Sequence, residues 1–193
     1  MKNITLQTAV AAAFMGTAAP AMAQSIPPAT IAVVDLNKIT AQCNACKTAS
    51  AALTSQINAL RARQKALATP LEVEAKTLQA AVTALAGKAP DAALQSRVQA
   101  FQAKQQAAQQ EVARQEQQIQ RNQTYIQQQI GAKLGPVYQQ VMQRRGANMM
   151  VEIGSTLASA ASLDVSNDIL TALNAALTTV QTIAPAQAAP QGR

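Results

Sequence analysis

The chain has 193 residues, with 16 lysines and arginines, 9 aspartates and glutamates and no histidine, which gives a formal net charge of +7. The lack of histidine excludes Ser-His-Asp and Cys-His nucleophile pairs and histidine metal ligands. Aromatic residues make up 2% of the chain, so there is no stacking platform for single-stranded nucleic acid. Two cysteines cannot complete a zinc site in one chain. We therefore predict no catalytic residue, no metal site, no cofactor and no nucleic-acid partner.

The first 23 residues have the features of a secretory signal peptide. Lys2 supplies a short positive region, residues 4–16 form an apolar run, and Ala21-Met22-Ala23 matches an A-x-A cleavage signal. The apolar run is too short to span a membrane as a helix. We predict that the chain is exported to the periplasm and cleaved between Ala23 and Gln24.

Short apolar segments near both ends of the remaining chain predict β-strands. Residues 30–35 form one candidate strand, residues 149–153 a second and residues 156–160 a third. These strands are too small to form a core alone. We assign residues 24–46 and 146–183 to a small β body.

The last part of the chain predicts a helix followed by a tail. Residues 164–168 contain good N-cap residues, and an apolar stripe follows over residues 169–183. Residues 184–193 include two prolines and a glycine. We predict that this tail is disordered.

Residues 47–145 predict a long helical hairpin. Between Leu53 and Leu85 a 4,3 repeat places leucine or isoleucine at seven of ten positions, a pattern typical of coiled-coil packing. A Gly and a Pro-Asp pair at residues 87–91 predict the tip between the two helices. In the returning helix 15 of the 35 residues from 95 to 129 are glutamine. We therefore expect a weakly packed pair of helices.

Pro70 interrupts the first helix of this hairpin. Thr69-Pro70-Leu71-Glu72 is a capping-box sequence with proline at the first helical position, so a new helix could begin there. The 4,3 repeat nevertheless continues through Pro70 without losing phase. This continuity favours a kink over a boundary between two helices.

The hairpin carries most of the positive charge. Residues 47–145 contain 13 basic and five acidic residues, a net of +8. For any single residue, a solvated helix face is the simpler interpretation. Together, the charges should attract acidic partners over about a Debye length, ~8 Å at physiological salt.

Several short motifs, in this order, resemble the Skp/OmpH family of periplasmic chaperones. They are the strand Ile31-Ala32-Val33-Val34-Asp35, the long hairpin with Gly135-Pro136-Val137, the segment Gly146-Ala147-Asn148-Met149-Met150-Val151, and residues 163–174, Leu-Asp-Val-Ser-Asn-Asp-Ile-Leu-Thr-Ala-Leu-Asn. Ser166 stands where the family usually has threonine. The resemblance covers essentially all of the chain after the signal peptide.

The resemblance implies an α+β, predominantly helical fold and a homotrimer. A small β body would carry three helical-hairpin arms, which enclose a cavity for unfolded outer-membrane β-barrel proteins and work without ATP or enzymatic activity. Lipopolysaccharide or another anionic membrane surface is a further candidate partner. The basic residues proposed to contact clients are Arg61, Arg63, Lys65, Lys76, Lys88, Arg97 and Lys104.

Cys43 and Cys46 form a C-x-x-C pair that the family pattern does not require. In an exported protein a disulfide is the usual outcome, either within one chain or between subunits, and buried free thiols are another. A thioredoxin-like redox centre is disfavoured, because the sequence lacks the βαβ pattern expected around such a centre. A metal site shared across a trimer is a further alternative. Two other functions therefore stay open: a periplasmic adaptor or structural coiled coil, and a C-x-x-C thiol oxidoreductase.

Overall fold

The computed structural model describes residues 27–186, so the predicted signal peptide and its cleavage site between Ala23 and Gln24 lie outside the described residues. The chain is mostly helical with one small sheet, which confirms the predicted α+β class. Its elements, in chain order, are β1 (Ile31–Val34), α1 (Leu36–Gln42), α2 (Asn44–Ala84), α3 (Ala92–Arg145), β2 (Met149–Glu152) and α4 (Ser166–Ala176). Two short 3-10 turns, Ile153–Ser155 and Ala161–Leu163, separate β2 from α4.

Helices α2 and α3 form a long antiparallel arm. They contain 41 and 54 residues, or about 60 and 80 Å at 1.5 Å per residue. At the tip, Gly87 takes the left-handed conformation with φ +88, which glycine adopts without steric cost. The Asp91 side chain then accepts a hydrogen bond from the Leu94 N–H at 2.7 Å and caps α3. Helix α2 runs unbroken through Pro70, so no new helix begins there.

The two strands and the roots of the arm form the base of the molecule. β1 and β2 are parallel, with Ile31 opposite Met149 and Val34 opposite Glu152. Helix α4 and the adjoining ends of α1, α2 and α3 cover β1, and this packing buries three of its four residues. The buried base core comprises Ala32, Val34, Ile39, Cys43, Ala45, Cys46, Val137, Val141, Val165, Ile169, Leu173 and Leu177.

The structure differs from the sequence prediction after β2. Residues 156–160 form no strand and pair with neither β1 nor β2. They lie mostly exposed, so their apolar side chains gain no burial against the sheet. Helix α4 ends at Ala176 and does not continue to Ile183. Residues 177–186, which we call the C-terminal segment, are non-helical and follow the arm. The first three residues of the predicted disordered tail belong to this segment, and residues 187–193 lie outside the described residues.

Candidate functional site

A buried hydroxyl links the start of α4 to the end of β1 in the base on which the arm stands. Ser166 is fully buried, donates a hydrogen bond to the Asp164 carboxylate at 2.5 Å and accepts one from the Asp35 backbone N–H at 2.9 Å. The bonds from the Ser166 hydroxyl and backbone N–H hold the pKa of Asp164 below its usual range. Asp35 itself caps α1 by accepting from the Lys38 N–H. These contacts fix the start of α4 against the end of β1.

The root of α2 is held by a disulfide and by a side chain from α4. Cys43 lies between α1 and α2 and is joined to Cys46, with their Cα atoms 5.1 Å apart. Both residues are buried, at 0% and 5% exposure. Asn174 of α4 accepts a hydrogen bond from the Asn44 N–H at 2.9 Å, which satisfies one of the free N–H groups at the start of α2. The pair is therefore positioned within the base core and is shielded from solvent.

The arm above the base has few buried seam residues. Leu60 and Leu78 of α2, and Leu94 and Ile126 of α3, are buried, at 8% exposure or less. Open grooves also run along the seam between the helices. One cavity of about 290 Å³ is lined by Leu60, Ile119 and polar side chains. Another of about 270 Å³ is lined by seam residues that include Leu67, Leu71 and Val112. The weak packing expected from the many glutamines is therefore present.

All seven basic residues proposed from the sequence lie exposed on the arm. Two of them hold the helices together: Arg63 makes a two-point contact with Glu111 at 2.6 and 3.1 Å, and Lys104 contacts Glu74 at 2.8 Å. Bonding to Arg63 lowers the pKa of Glu111. Within residues 27–186 the other five form no ion pair, namely Arg61, Lys65, Lys76, Lys88 and Arg97.

The C-terminal segment is bound along the arm by side-chain amides. Gln129 accepts a hydrogen bond from the Gln181 backbone N–H at 2.9 Å and donates one to the Gln181 carbonyl at 2.8 Å. Closer to the tip, Asn122 accepts from the Ala184 N–H at 2.8 Å and Gln118 donates to the Ala184 carbonyl at 3.4 Å. The segment therefore runs from the base towards the tip, antiparallel to α3.

A third point of attachment lies on α2, between these two. Gln56 donates to the Thr182 carbonyl at 3.2 Å and accepts from the Asn122 amide at 2.7 Å. Ile183, between the amide contacts, faces the cavity that Leu60 and Ile119 line. From the sequence, the glutamine-rich stretch predicts only weak packing. The binding of the segment by Gln56, Gln118, Asn122 and Gln129 was missed, because a glutamine that binds backbone looks in sequence like one that faces water.

Within residues 27–186 there is no cluster of three or more histidine, cysteine, aspartate or glutamate side chains that could hold a metal ion. None of the helices in this part of the chain is long and apolar enough to cross a membrane.

The fold defines a helical-arm protein with a small α+β base, and comparison with known proteins identifies its family. A family model described as outer membrane protein (OmpH-like) matches residues 30–173. The chain belongs to this family, as the motifs had suggested. None of the curated proteins compared with it matches the chain.

A solved structure from Caulobacter crescentus CB15 has a similar fold. That protein is described as a candidate OmpH-like outer membrane chaperone. The two share 18% sequence identity with a TM-score of 0.67, over 81% of this chain and 90% of the other. The family match ends at residue 173, so the C-terminal segment lies beyond it.

Proposed function

We propose that the protein is an ATP-independent holdase chaperone of the periplasm. It binds unfolded outer-membrane β-barrel proteins between its arms and prevents their aggregation. Family membership supports a role with outer-membrane proteins. The observation that carries the proposal is the arm, because two long helices project from the base and apolar seam residues line open grooves along them.

The arm is suited to contact with many different unfolded chains. Its seam exposes apolar side chains beside cavities, and its glutamine side chains can both donate and accept hydrogen bonds. Five basic residues on its surface form no ion pair within residues 27–186. We propose that these five provide the long-range attraction to acidic clients. Arg63 and Lys104 contribute less, because their charge is balanced by Glu111 and Glu74.

We further propose that three copies assemble through the base. In residues 27–186 the sheet has only two strands, and sheets of this size are marginal without further packing. Large apolar side chains are exposed in and beyond β2, including Met149, Ile153 and Leu157 at 47%, 38% and 109%. Covering them between subunits would complete the β body and set the arms around a common cavity.

The test is aggregation of a urea-unfolded outer-membrane β-barrel protein after dilution, with and without the chain and without nucleotide. We expect suppression of light scattering and a trimer in analytical ultracentrifugation. A monomer at micromolar concentration would contradict the proposed assembly. Binding of a single folded partner, with no effect on unfolded barrels, would favour the adaptor alternative.

Burial of Cys43 and Cys46 disfavours the oxidoreductase alternative, because a redox centre must expose a thiol to its substrate. Insulin reduction measures this directly. Activity that Cys43→Ser abolishes would support the oxidoreductase, and no activity above background is the expected result.

A further inference from the structure

The C-terminal segment contacts the arm through its backbone. Each of the five hydrogen bonds from the arm to Gln181, Thr182 and Ala184 ends on a main-chain N–H or C=O of the segment. At Gln181 and at Ala184 both main-chain groups are bound, as they would be in a strand pair. Recognition of this kind is independent of sequence, since every residue except proline offers the same two groups.

The groove beneath the segment has the composition of a peptide-binding site. Its walls carry the amides of Gln56, Gln118, Asn122 and Gln129, and the cavity between them is lined by Leu60 and Ile119. In peptide-binding grooves, main-chain hydrogen bonds supply affinity, and apolar pockets accept alternate side chains. Ile183, which lies 70% exposed at the edge of the cavity, fills this pocket only in part.

One groove residue, Asn122, bonds directly to the occupant of the groove. Asn122 is 3% exposed, and its side-chain oxygen accepts from the Ala184 N–H and from the Gln118 amide. Removal of the segment would open the groove to water, which can replace the Ala184 N–H at the Asn122 oxygen. Any extended chain with a free N–H could form the same bond with this oxygen.

We propose that the C-terminal segment is an internal pseudo-client. It occupies a backbone-binding groove on the arm, and an extended stretch of unfolded polypeptide displaces it and takes over its hydrogen bonds. This inference rests on the proposed function and identifies where on the arm a client backbone is held. The occupant is an unfolded chain and not a folded partner, because the groove reads main-chain groups that folded proteins have already paired.

Displacement has a consequence for affinity. A tethered occupant acts at a high effective concentration. The apparent association constant for a client then equals the intrinsic constant multiplied by the fraction of molecules whose groove is free. If the groove is free in about one molecule in ten, removal of the segment strengthens client binding by about tenfold. The segment would thus occupy the groove and lie over Leu60 and Ile119 when no client is present.

The first experiment compares four full assemblies for binding of a urea-unfolded eight-stranded β-barrel protein, labelled with a fluorophore. They are the parent chain, a chain that stops after Val180, Ala184→Pro and Ala184→Ser. The chain that stops after Val180 keeps Leu177, which belongs to the base core. Proline removes the N–H that Asn122 accepts, and serine keeps it. We expect roughly three- to tenfold tighter binding by the truncated and proline chains, and parent-like binding by the serine chain.

A second measurement separates a pseudo-client from a structural strap. Hydrogen exchange of the Gln181 and Ala184 amides is followed in the parent chain as the unfolded barrel is added. Displacement predicts faster exchange at both amides on saturation. In the chain that stops after Val180, Gln129→Leu should weaken client binding by about tenfold, because two hydrogen bonds are lost. The control Gln127→Leu, on an exposed neighbouring position, should not.

Equal client affinity of all four chains, or unchanged protection of Gln181 and Ala184 with client bound, would overturn the inference and leave the chaperone function standing. Failure of every chain to bind or protect the barrel would overturn the proposed function, and the displacement with it.

Discussion

Replacing Pro70 with alanine tests whether a weak point in the arm matters for large clients. Helix α2 continues through Pro70, which lacks the N–H that would bond to the Ala66 carbonyl and whose ring crowds that turn. Alanine is about 3 kcal/mol more favourable than proline inside a helix. Leu67 and Leu71, on either side of Pro70, line the same cavity and are only half-buried, so neighbouring packing does little to compensate.

The expected effect is local. The nearest buried seam residues are Leu60 and Leu78, and the helix between them should open more rarely in Pro70→Ala. A gain of about 3 kcal/mol in local helix stability corresponds to amide exchange that is slower by up to about two orders of magnitude. A chain with the stiffer arm should still assemble and protect small unfolded barrels. It should protect large barrels less well, because the proposed cavity between the arms of the assembly widens less easily.

Pro136→Ala is the matched control. Pro136 also lies inside a continuous helix, α3, but it stands beside Val137 and Val141 in the base core. Pro136→Ala should raise the stability of α3 without changing the size preference for clients. Light scattering with eight-stranded and sixteen-stranded barrels, alongside hydrogen exchange over residues 61–77, makes the comparison. Equal protection of both barrels by Pro70→Ala and the parent chain would refute the mechanical role of Pro70.

Three further predictions concern the base and are measured by urea unfolding. Ser166→Ala should lower the free energy of unfolding by about 2 kcal/mol, because the Asp35 N–H and the Asp164 carboxylate each lose a partner. The control Ser166→Thr keeps the hydroxyl and should leave the free energy of unfolding close to that of the parent chain. The folded pKa of Asp164 lies below its ordinary value of 3.8. Its contribution to the free energy of unfolding is therefore complete above pH 3.8 and is lost as the pH falls through the folded pKa. This acid-induced loss of stability should be smaller in Ser166→Ala, and an equal loss would contradict the role given to the Ser166 hydroxyl. The Cys43–Cys46 disulfide closes only a short loop, so its reduction should lower the free energy of unfolding by only about 2 kcal/mol. Complete unfolding on addition of dithiothreitol would contradict this prediction.

The local signals in the sequence predicted the arm and β1 well, but not α1 (Leu36–Gln42). Asp91 after Pro90 marked the start of α3, and Gly87 marked the tip, because capping and left-handed turns depend on residues that are close in the chain. The apolar run of β1 and the 4,3 repeat of α2 were sufficient for their type and approximate bounds. Even the continuity through Pro70 followed from the phase of the repeat.

The contacts between distant parts of the chain were decided by the tertiary structure. The sequence predicts a strand at residues 156–160, but these residues pair with neither β1 nor β2, because the pairing of an apolar segment depends on where the fold places it. The role of Ser166 depends on Asp35, which is far away in the chain and lies beside Ser166 only in the folded structure.

By itself, the sequence determined that this protein is a basic helical hairpin on a small base, because periodicity, caps and charge are properties of neighbouring residues. Only the tertiary structure decided that the chain after Ala176 leaves its helix and follows the arm. There the backbone of Gln181 and Ala184 finds amide partners on α3. Those partners are remote in sequence, and no local pattern distinguishes Asn122 or Gln129 from the many polar side chains that face water.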